Sequence, residues 1–324
     1  MSNGGEYKDS ADKTKRICGT SVRVDKLLRE AASRYQDKNI YVIFNDLDAG
    51  KIEHLRTLVS DGENNYHVQF YNEDCNRLLH DLQGKICGVQ GTHYLLVYDP
   101  YEASIDWNAV TPFLNNWGEV IINHMLFDSI RAVQAAKRPE TVSKYETTYQ
   151  TKFMELVTWG SDRKTYESCI QSIIHSLCSQ RKREFFIASF PFFNSRNALM
   201  YDLIHCTSSL HGFRLFKQKA WQVFGGSSSN KNTHGEERQG LFAFPDDAQN
   251  IPEDEYCYHI DDIARYVQMK IRGRNDVSAE EIRDLLDRHP IFPSEGFLLE
   301  IKRLLKRNYG ASESHHKMSF SGRA

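Results

Sequence analysis

Three aspartates carry the clearest potential for chemistry in this sequence, because each of them stands shortly after a run of apolar residues. They are Asp46, Asp74 and Asp99. A carboxylate at the end of a buried strand can accept hydrogen bonds from two hydroxyl groups, which is how nucleoside-binding sheets hold a ribose. Open α/β sheets bind their ligands at the carboxyl ends of their strands. We therefore expect the three carboxylates to face one shared hollow at such an edge.

The last of these acids begins the tripeptide Asp99-Pro100-Tyr101, which ends the apolar run at 94–98. That run is short, continuous and rich in β-branched and aromatic residues, so it predicts a strand that is buried on both faces. Proline cannot donate a hydrogen bond to a sheet, so Pro100 ends the strand and places Asp99 and Tyr101 at its carboxyl edge. The alternative is that Asp99 and Pro100 only terminate the strand.

The other two acids each have a structural alternative. Helical patterns follow both of them, and an aspartate before a helix commonly accepts hydrogen bonds from its first backbone N–H groups. Either Asp46 or Asp48 could cap the next helix instead of holding a ribose. Asp74 is placed either to cap its helix or to receive an adenine amino group.

The segments that carry these acids predict an α/β fold. Strand patterns alternate with helical patterns over the first 123 residues, which indicates βαβ units and a mainly parallel sheet. Residues 127–182 predict an inserted set of helices, and two close strands after them are most easily antiparallel. The strands are predicted at 39–48, 66–70, 94–98, 119–123, 184–193 and 198–207.

We assign residues 1–257 to this α/β domain and residues 258–310 to a small helical module, followed by a disordered tail at 311–324. Ser278 and Glu281 form a capping box that opens the second helix of the module. The third helix, 296–307, is basic on its exposed side, which favours a winged-helix or helix-turn-helix unit that contacts nucleic acid. The alternative is a solvated helix whose cations favour its carboxyl end. The basic residues are Lys302, Arg303, Lys306 and Arg307.

Composition limits the remaining possibilities. The 324 residues have a formal net charge of −2, so any binding of nucleic acid must come from a local basic patch. Seven cysteines without a C-x-x-C pair argue against a zinc site or a disulfide framework and suit a reducing cytosol. The amino terminus is polar and no run reaches membrane-spanning length, so we expect a cytoplasmic protein with no membrane partner.

Histidines and cysteines near 205–211 and 257–259 do not complete a set of four metal ligands. We therefore expect no metal site, and buried or capping roles for these side chains.

The order and spacing of several short motifs resemble the three-Cys-motif partner proteins, and the resemblance covers nearly the whole chain. That family has a fold similar to class I S-adenosylmethionine-dependent methyltransferases, with a winged-helix module appended. The motifs are Ile-Phe-Asn-Asp-Leu-Asp48, Glu-Asp-Cys-Asn-Arg-Leu-Leu79, Asp-Pro-Tyr101 with Asp106-Trp107, Val-Ile-Ile-Asn123 with Arg131, and Leu-Ile-His-Cys-Thr207 with His211-Gly212, Lys217 and Trp221.

The resemblance implies a Rossmann-like methyltransferase sheet that binds S-adenosylmethionine. Asp46 would take the ribose hydroxyls and Asp74 the adenine amino group. The family places a first, central strand before a Gly-rich loop at the methionine end of the cofactor. Here only Gly4 and Gly5 resemble that loop, so the resemblance implies that the first strand is missing and that the chain begins inside the cofactor motif.

The tripeptide Asp99-Pro100-Tyr101 approximates the D-P-P-Y signature of amino methyltransferases, although one proline is lacking. In that signature the aspartate and a backbone carbonyl hold the target amine, and the aromatic ring stacks on a flipped base. Methyl transfer depends more on proximity and alignment than on strong acid–base catalysis. The three residues are therefore the predicted catalytic set.

Three functions remain open at this point. The first is a methyltransferase acting on an amino group of nucleic acid, guided by the terminal module. The second is a non-catalytic nucleotide- or protein-binding partner of a three-Cys-motif protein in a phage or mobile-element system. The third is a nuclease in which Asp46, Asp74 and Asp99 surround magnesium.

Overall fold

Helices and strands alternate along the chain in a computed structural model that describes residues 6–8, 16–100, 104–178, 184–194, 197–231, 257–314 and 316–320. The α/β class predicted from the sequence is confirmed. The chain divides into two compact units, one of Met1–Cys87 with Asn108–Val110 and one of Gly88–Trp107 with Thr111–Ala324. None of the described helices is long and apolar enough to cross a membrane.

The first unit contains one βαβ arrangement. Strands β3 and β4 pair in parallel, from Ile40 opposite Tyr66 to Asn45 opposite Tyr71. The intervening helix α2 buries Ile52 and Leu55, which gives the amphipathic pattern that such a crossover requires. The elements are β1 (Glu6–Lys8), β2 (Arg16–Cys18), α1 (Thr20–Arg34), β3 (Ile40–Asn45), α2 (Ala49–Leu58), β4 (Tyr66–Tyr71) and α3 (Cys75–Ile86).

The second unit contains a four-stranded mixed sheet in the order β5-β6-β8-β7. Strands β5 and β6 are parallel, and β8 runs antiparallel to both of its neighbours. The close antiparallel pair predicted from the sequence is therefore confirmed. The elements are β5 (Tyr94–Tyr98), α4 (Trp107–Leu114), β6 (Gly118–His124), α5 (Leu126–Ala135), α6 (Pro139–Tyr149), α7 (Phe153–Trp159), α8 (Arg163–Cys178), β7 (Phe186–Phe193), β8 (Leu199–Thr207) and α9 (Leu210–Val223).

Strand β5 is present where the sequence predicts it, but the expectation that both of its faces are buried is wrong. Leu95 and Val97 are each 60% exposed, whereas Tyr98 is buried. Strand β5 is at one end of the order β5-β6-β8-β7, and the ring of Phe113 in α4 packs against Tyr94, whose side chain lies on the opposite face from Leu95 and Val97. An uninterrupted apolar run is therefore covered on one face only.

Residues after β6 form helices α5 to α8, in agreement with the helical pattern predicted for 127–182. Tyr149, Trp159 and Tyr166 pack edge to face, with ring centroids 5.1–6.1 Å apart. Buried aliphatic side chains such as Leu156 and Ile170 complete this packing. The helices thus bury aromatic and aliphatic surface in the second unit.

The end of the second unit is a helical module with a small sheet. The sheet is antiparallel in the order β10-β11-β9. The predicted capping box is confirmed, because Ser278 Oγ accepts from the Glu281 N–H at 3.1 Å and Glu281 Oε2 accepts from the Ser278 N–H at 2.8 Å. The elements are α10 (Ile260–Ile271), β9 (Val277–Ser278), α11 (Ala279–Asp287), α12 (Leu298–Tyr309), β10 (Ser312–Ser314) and β11 (Lys317–Ser319).

The disordered tail predicted at 311–324 is wrong over its described part. Strands β10 and β11 lie there, and Met318 and Phe320 are 0% and 1% exposed in the module core. These two side chains face the same way along an extended strand, so both reach the core. Two apolar residues within a polar stretch were too weak a signal for the sequence pattern to indicate a strand.

Candidate functional site

Side-chain amides join the loops that follow β3 and β4. Asn45 Nδ2 donates to the Glu73 carbonyl at 3.0 Å, and its Oδ1 accepts from the Glu73 N–H at 3.1 Å. Asn72 Nδ2 donates to the carbonyls of Asp46 and Leu47, both at 2.9 Å. Since β3 and β4 are parallel neighbours, these bonds hold the two loops together at one edge of the pair.

Asp46 lies in the first of these loops with its side chain only 13% exposed. Its Oδ1 accepts from the Asp48 N–H at 2.9 Å, and its Oδ2 lies 3.6 Å from Lys51 Nζ. Asp48 is the residue that caps α2, since its Oδ1 accepts from the N–H groups of Gly50 and Lys51. Of the two alternatives raised by the sequence, capping thus belongs to Asp48, while Asp46 stabilises the turn before it.

Asp74 lies in the second loop and caps α3. Its Oδ1 accepts from the N–H groups of Asn76 and Arg77 at 3.0 and 3.1 Å. The residue is exposed, and both capping bonds use the same oxygen. The structural role foreseen for Asp74 is therefore confirmed, and its second carboxylate oxygen stays outside the cap. The structure brings Asp46 and Asp74 together at one strand edge.

Asp99 belongs to the second unit, at the carboxyl edge of the parallel strands β5 and β6. Asn123, near the end of β6, donates its Nδ2 to Asp99 Oδ1 at 2.8 Å. The Oδ1 atom of Asn123 is buried and accepts no hydrogen bond within the described part of the chain. Pro100 is buried beside this pair. Tyr101, Gly4 and Gly5, which the sequence also assigns to the site, lie outside the described residues.

The nuclease hypothesis requires the acids Asp46, Asp74 and Asp99 around one ion. Among the described residues, no three side chains of His, Cys, Asp or Glu are grouped so that they could hold a metal ion.

The histidine of the Leu-Ile-His-Cys-Thr207 motif has a structural role. His205 is fully buried, and its Nε2 lies 2.7 Å from Glu119 Oε2. Helix α9 crosses so close to this pair that a Cβ atom at Gly212 would lie 2.2 Å from Glu119 Oε1. This contact explains the glycine next to His211. The sequence-based expectation that His205 is buried is confirmed.

His259 has a capping role, which is the second of the two roles that the sequence allowed. It is the N-cap of α10, and its backbone N–H donates to Asp262 Oδ2 at 2.8 Å. Its Nε2 lies 3.7 Å from Cys257 Sγ. The capping role expected for this cluster is confirmed.

Lys217 belongs to the motifs that carry the family resemblance, but no structural role was predicted for it. Its side chain is fully buried, and its Nζ donates to the carbonyls of Leu286, Asp287 and His289 at 2.9, 3.3 and 2.8 Å. Burial lowers the pKa of Lys217 to about 7. One signal was available, because Lys217 stands midway between the buried Phe213 and Trp221 at helical spacing of four.

Lys217 and its neighbours join helix α9 to the terminal module. Trp221 Nε1 donates to the Ile291 carbonyl at 2.9 Å, and Arg214 pairs with the buried Asp287. Phe213 and Trp221 share one hydrophobic core with α10, α11 and α12. The motif residues Lys217 and Trp221 therefore connect the sheet to the module.

The predicted nucleic-acid-binding helix is α12, and its cations differ in their surroundings. Lys302 and Lys306 both pair with Glu313 of β10, and these bonds lower the pKa of Glu313 to about 2. Arg303 and Arg307 are exposed, one helical turn apart. The two arginines are therefore the cations of α12 that lie outside the contact with Glu313.

The geometry thus gives two strand-edge sites, each built by side-chain amides and carboxylates. Asn45 and Asn123 stand in motifs that carry the family resemblance, but no role was predicted for them or for Asn72, since an asparagine near a strand end is an ordinary loop residue. Comparisons of this chain with protein-family models, with curated proteins and with solved structures find no match.

Proposed function

We propose that this protein is an S-adenosylmethionine-dependent methyltransferase that acts on an amino group of nucleic acid. The observation that carries the proposal is the pair of acids, Asp46 and Asp74, that Asn45 and Asn72 hold at one edge of β3–β4. Such an edge is where α/β sheets bind nucleosides. The resemblance to the three-Cys-motif partner proteins assigns the same two residues to the cofactor.

The chemistry of these acids suits an adenosine. A carboxylate only accepts hydrogen bonds, whereas ribose hydroxyls and the adenine amino group donate them. Asp46 is already oriented by the Asp48 N–H, so little ordering is needed when a ribose binds. Asp74 retains an oxygen that the α3 cap does not use. S-adenosylmethionine, once bound, supplies an electrophilic methyl group.

Asp99 and Asn123 would hold the methyl acceptor. An amino group that donates to Asp99 keeps its lone pair free for methylation, and Asn123 fixes the orientation of that carboxylate through a 2.8 Å bond. Pro100 restricts the backbone next to Asp99. Rate enhancement would come from proximity and alignment, for which a fixed acceptor geometry is the main requirement.

The terminal module would contact nucleic acid. Its order of helix, strand, helix, helix, strand and strand, with the sheet order β10-β11-β9, supports the winged-helix resemblance. In such modules the last helix enters a groove and basic residues contact phosphates. Arg303 and Arg307 on α12 are the exposed cations that fit this role.

Calorimetric titration with S-adenosylmethionine tests the cofactor assignment. We expect Asp46→Asn to weaken binding about 10- to 100-fold, because hydrogen bonds to a charged group contribute roughly 1.5–3 kcal/mol. Asp48→Asn is the matched control, since asparagine also caps helices well and the Asp48 N–H remains. The assignment is wrong if the two variants bind equally well.

The nucleic-acid assignment predicts a difference between neighbouring cations. Replacing Arg303 and Arg307 together by alanine should weaken binding to a duplex and reduce the slope of log K against log salt by about 2. Lys302→Ala should change that slope less, because Lys302 already pairs with Glu313. Fluorescence anisotropy at several salt concentrations measures both effects. Equal slopes for all the variants and the unmodified protein would contradict a role for α12.

A second candidate function is a non-catalytic nucleotide- or protein-binding partner, including a partner of a three-Cys-motif protein in a phage or mobile-element system. The observation that favours it is the apolar surface of β5, where Leu95 and Val97 are each 60% exposed. Exposed apolar patches of this kind often mark protein interfaces. Binding of S-adenosylmethionine without methyl transfer to any nucleic acid would favour this function over catalysis.

A further inference from the structure

A cavity of about 150 Å³ lies in the second unit, away from the residues assigned to the cofactor. Helix α8, strands β7 and β8, the segment after α9 and the terminal module all contribute to its wall. Its polar lining includes two carboxyl groups, an amide and hydroxyl groups. The residues that matter here are Glu167, Gln171, Ser189, Pro191, Asp202 and Tyr258.

Asp202 is the most informative residue of this cavity. It is 1% exposed, and its Oδ2 atom makes no hydrogen bond within the described part of the chain. An ionised carboxyl group that is buried without a donor is costly, so such a group keeps a proton until a cation, another donor or water completes it. The pairing of β6 with β8 places Asp202 opposite His124, at the carboxyl edge of β6. This edge is the one that binds ligands in open α/β sheets.

Glu167 on α8 lies close enough to act on Asp202. Burial and the negative charge of Glu167 raise the pKa of Asp202 well above its ordinary value, while Arg163 acts in the opposite direction. Two carboxyl groups in such contact hold one proton between them, because both cannot ionise together at low cost. A cation that enters the cavity would replace that proton.

We propose that this cavity binds a small aliphatic amine, with its ammonium group between Asp202 and Glu167. An ammonium group has three donors and no acceptor, which suits a lining with carboxyl oxygens, the Gln171 amide and the Ser189 hydroxyl. The hydrocarbon part would lie against Pro191 and Tyr258. A water molecule occupies about 30 Å³, so the cavity has room for about five non-hydrogen atoms.

A hard divalent cation is the competing occupant. Calcium and magnesium require six or more oxygen ligands in a defined arrangement. Among the described residues, no three side chains of His, Cys, Asp or Glu are grouped to hold a metal ion. The mixed polar and apolar lining favours an amine.

The binding step conserves charge and protons. The amine enters as an ammonium ion, and the proton shared by Asp202 and Glu167 leaves to the solvent. Both carboxylates are then ionised, and no covalent bond forms or breaks apart from this proton transfer. Binding must therefore release up to one proton per amine.

Calorimetry of the full chain at pH 7 tests this inference with n-butylamine as the probe. We expect saturable binding with release of up to one proton, measured by repeating the titration in buffers of different ionisation enthalpy. 1-Butanol has a similar size and no charge, so it should bind at least tenfold more weakly. Stronger binding of magnesium chloride than of butylamine, or no binding of butylamine, would overturn the proposal.

Two variants locate the site. Asp202→Asn keeps the shape of a protonated carboxyl group. Glu167→Gln changes a residue that is more exposed than Asp202, so this second variant still tests the site if Asp202→Asn fails to fold. Each should weaken butylamine binding at least tenfold and abolish proton release. Glu140→Gln, an exposed acid on α6, is the charge-matched control and should bind as the unmodified protein does. Unchanged binding in either cavity variant would contradict the proposal.

Discussion

Replacing Lys217 by methionine is expected to lower the free energy of unfolding by about 3–5 kcal/mol. The ammonium group donates to three carbonyls at the end of α11 and in the turn after it. Methionine retains most of the apolar packing but removes the Lys217 donor from the Asp287 and His289 carbonyls, whereas the Leu286 carbonyl keeps the His289 N–H at 3.1 Å. Each unsatisfied group costs roughly 1–3 kcal/mol. A loss of this size is a large part of the total stability of a domain, which is about 5–15 kcal/mol.

Chemical denaturation followed by circular dichroism measures this effect. Lys219→Met on the same helix is the matched control, because Lys219 is exposed and contacts only Gln222 at 3.1 Å among the described bonds to its Nζ. Its free energy of unfolding should stay within about 0.5 kcal/mol of the unmodified protein. If Lys217→Met lowers the free energy of unfolding as little as Lys219→Met does, the hydrogen bonds of Lys217 do not join the sheet to the module.

The buried His124 and the half-buried His289 are expected to make the protein less stable as the pH falls below 6.5. Burial lowers the pKa of His124 to about 4 and that of His289 to about 3, where Lys217 and Lys270 add to the effect. His289 Nδ1 accepts from the N–H groups of Ile291 and Phe292, so protonation there would remove both bonds. Each histidine is therefore neutral in the folded protein at a pH at which it is charged after unfolding.

The sign follows from proton linkage. Between the folded pKa values and 6.5 the unfolded chain binds more protons, so the free energy of unfolding decreases as the pH falls, by up to about 1.4 kcal/mol per pH unit for each histidine. The pKa of Asp202 is raised, so this carboxyl group changes the free energy of unfolding with pH in the opposite direction. The contribution of each histidine is therefore measured by comparing the pH dependence of its variant with that of the unmodified protein. His124→Gln and His289→Gln should each reduce the pH dependence between pH 6 and 4.5, whereas the exposed His211→Gln should not. Parallel pH profiles for all the variants would contradict this account.

Local patterns predicted most of the described elements because they depend on neighbouring residues. The capping box at Ser278 and Glu281 requires only two side chains three residues apart, and it forms as predicted. The close strands β7 and β8 are antiparallel because a short connection permits little else. The acids Asp46 and Asp74 also lie at the predicted strand edge, since the parallel pairing of β3 and β4 follows from the helix between them.

Features that depend on distant contacts could not be predicted in the same way. The exposure of Leu95 and Val97 depends on which elements cover β5, and an apolar run does not indicate this. The partners of Lys217 lie about 70 residues further along the chain. The same applies to Asn45, because the hydrogen bonds between its side-chain amide and the Glu73 backbone form only if the two loops are adjacent. In each case the residue type was visible, but its partner was not.

Several residues that carry the family resemblance stabilise the fold. His205 pairs with Glu119 beneath Gly212, and Lys217 and Trp221 connect α9 to the terminal module. The chemistry that we propose depends on the strand-edge residues instead. The proposed cofactor site consequently rests on the two loops that carry Asp46 and Asp74.

Hydrogen exchange measured by mass spectrometry, with and without saturating S-adenosylmethionine, tests this central claim most directly. Bound adenosine would slow the opening of both loops, so we expect slower exchange in peptides that cover 45–51 and 72–77, with peptides from α12 unchanged. Unchanged exchange in both loops, with protection elsewhere or none at all, would contradict the assignment of Asp46 and Asp74 to the cofactor.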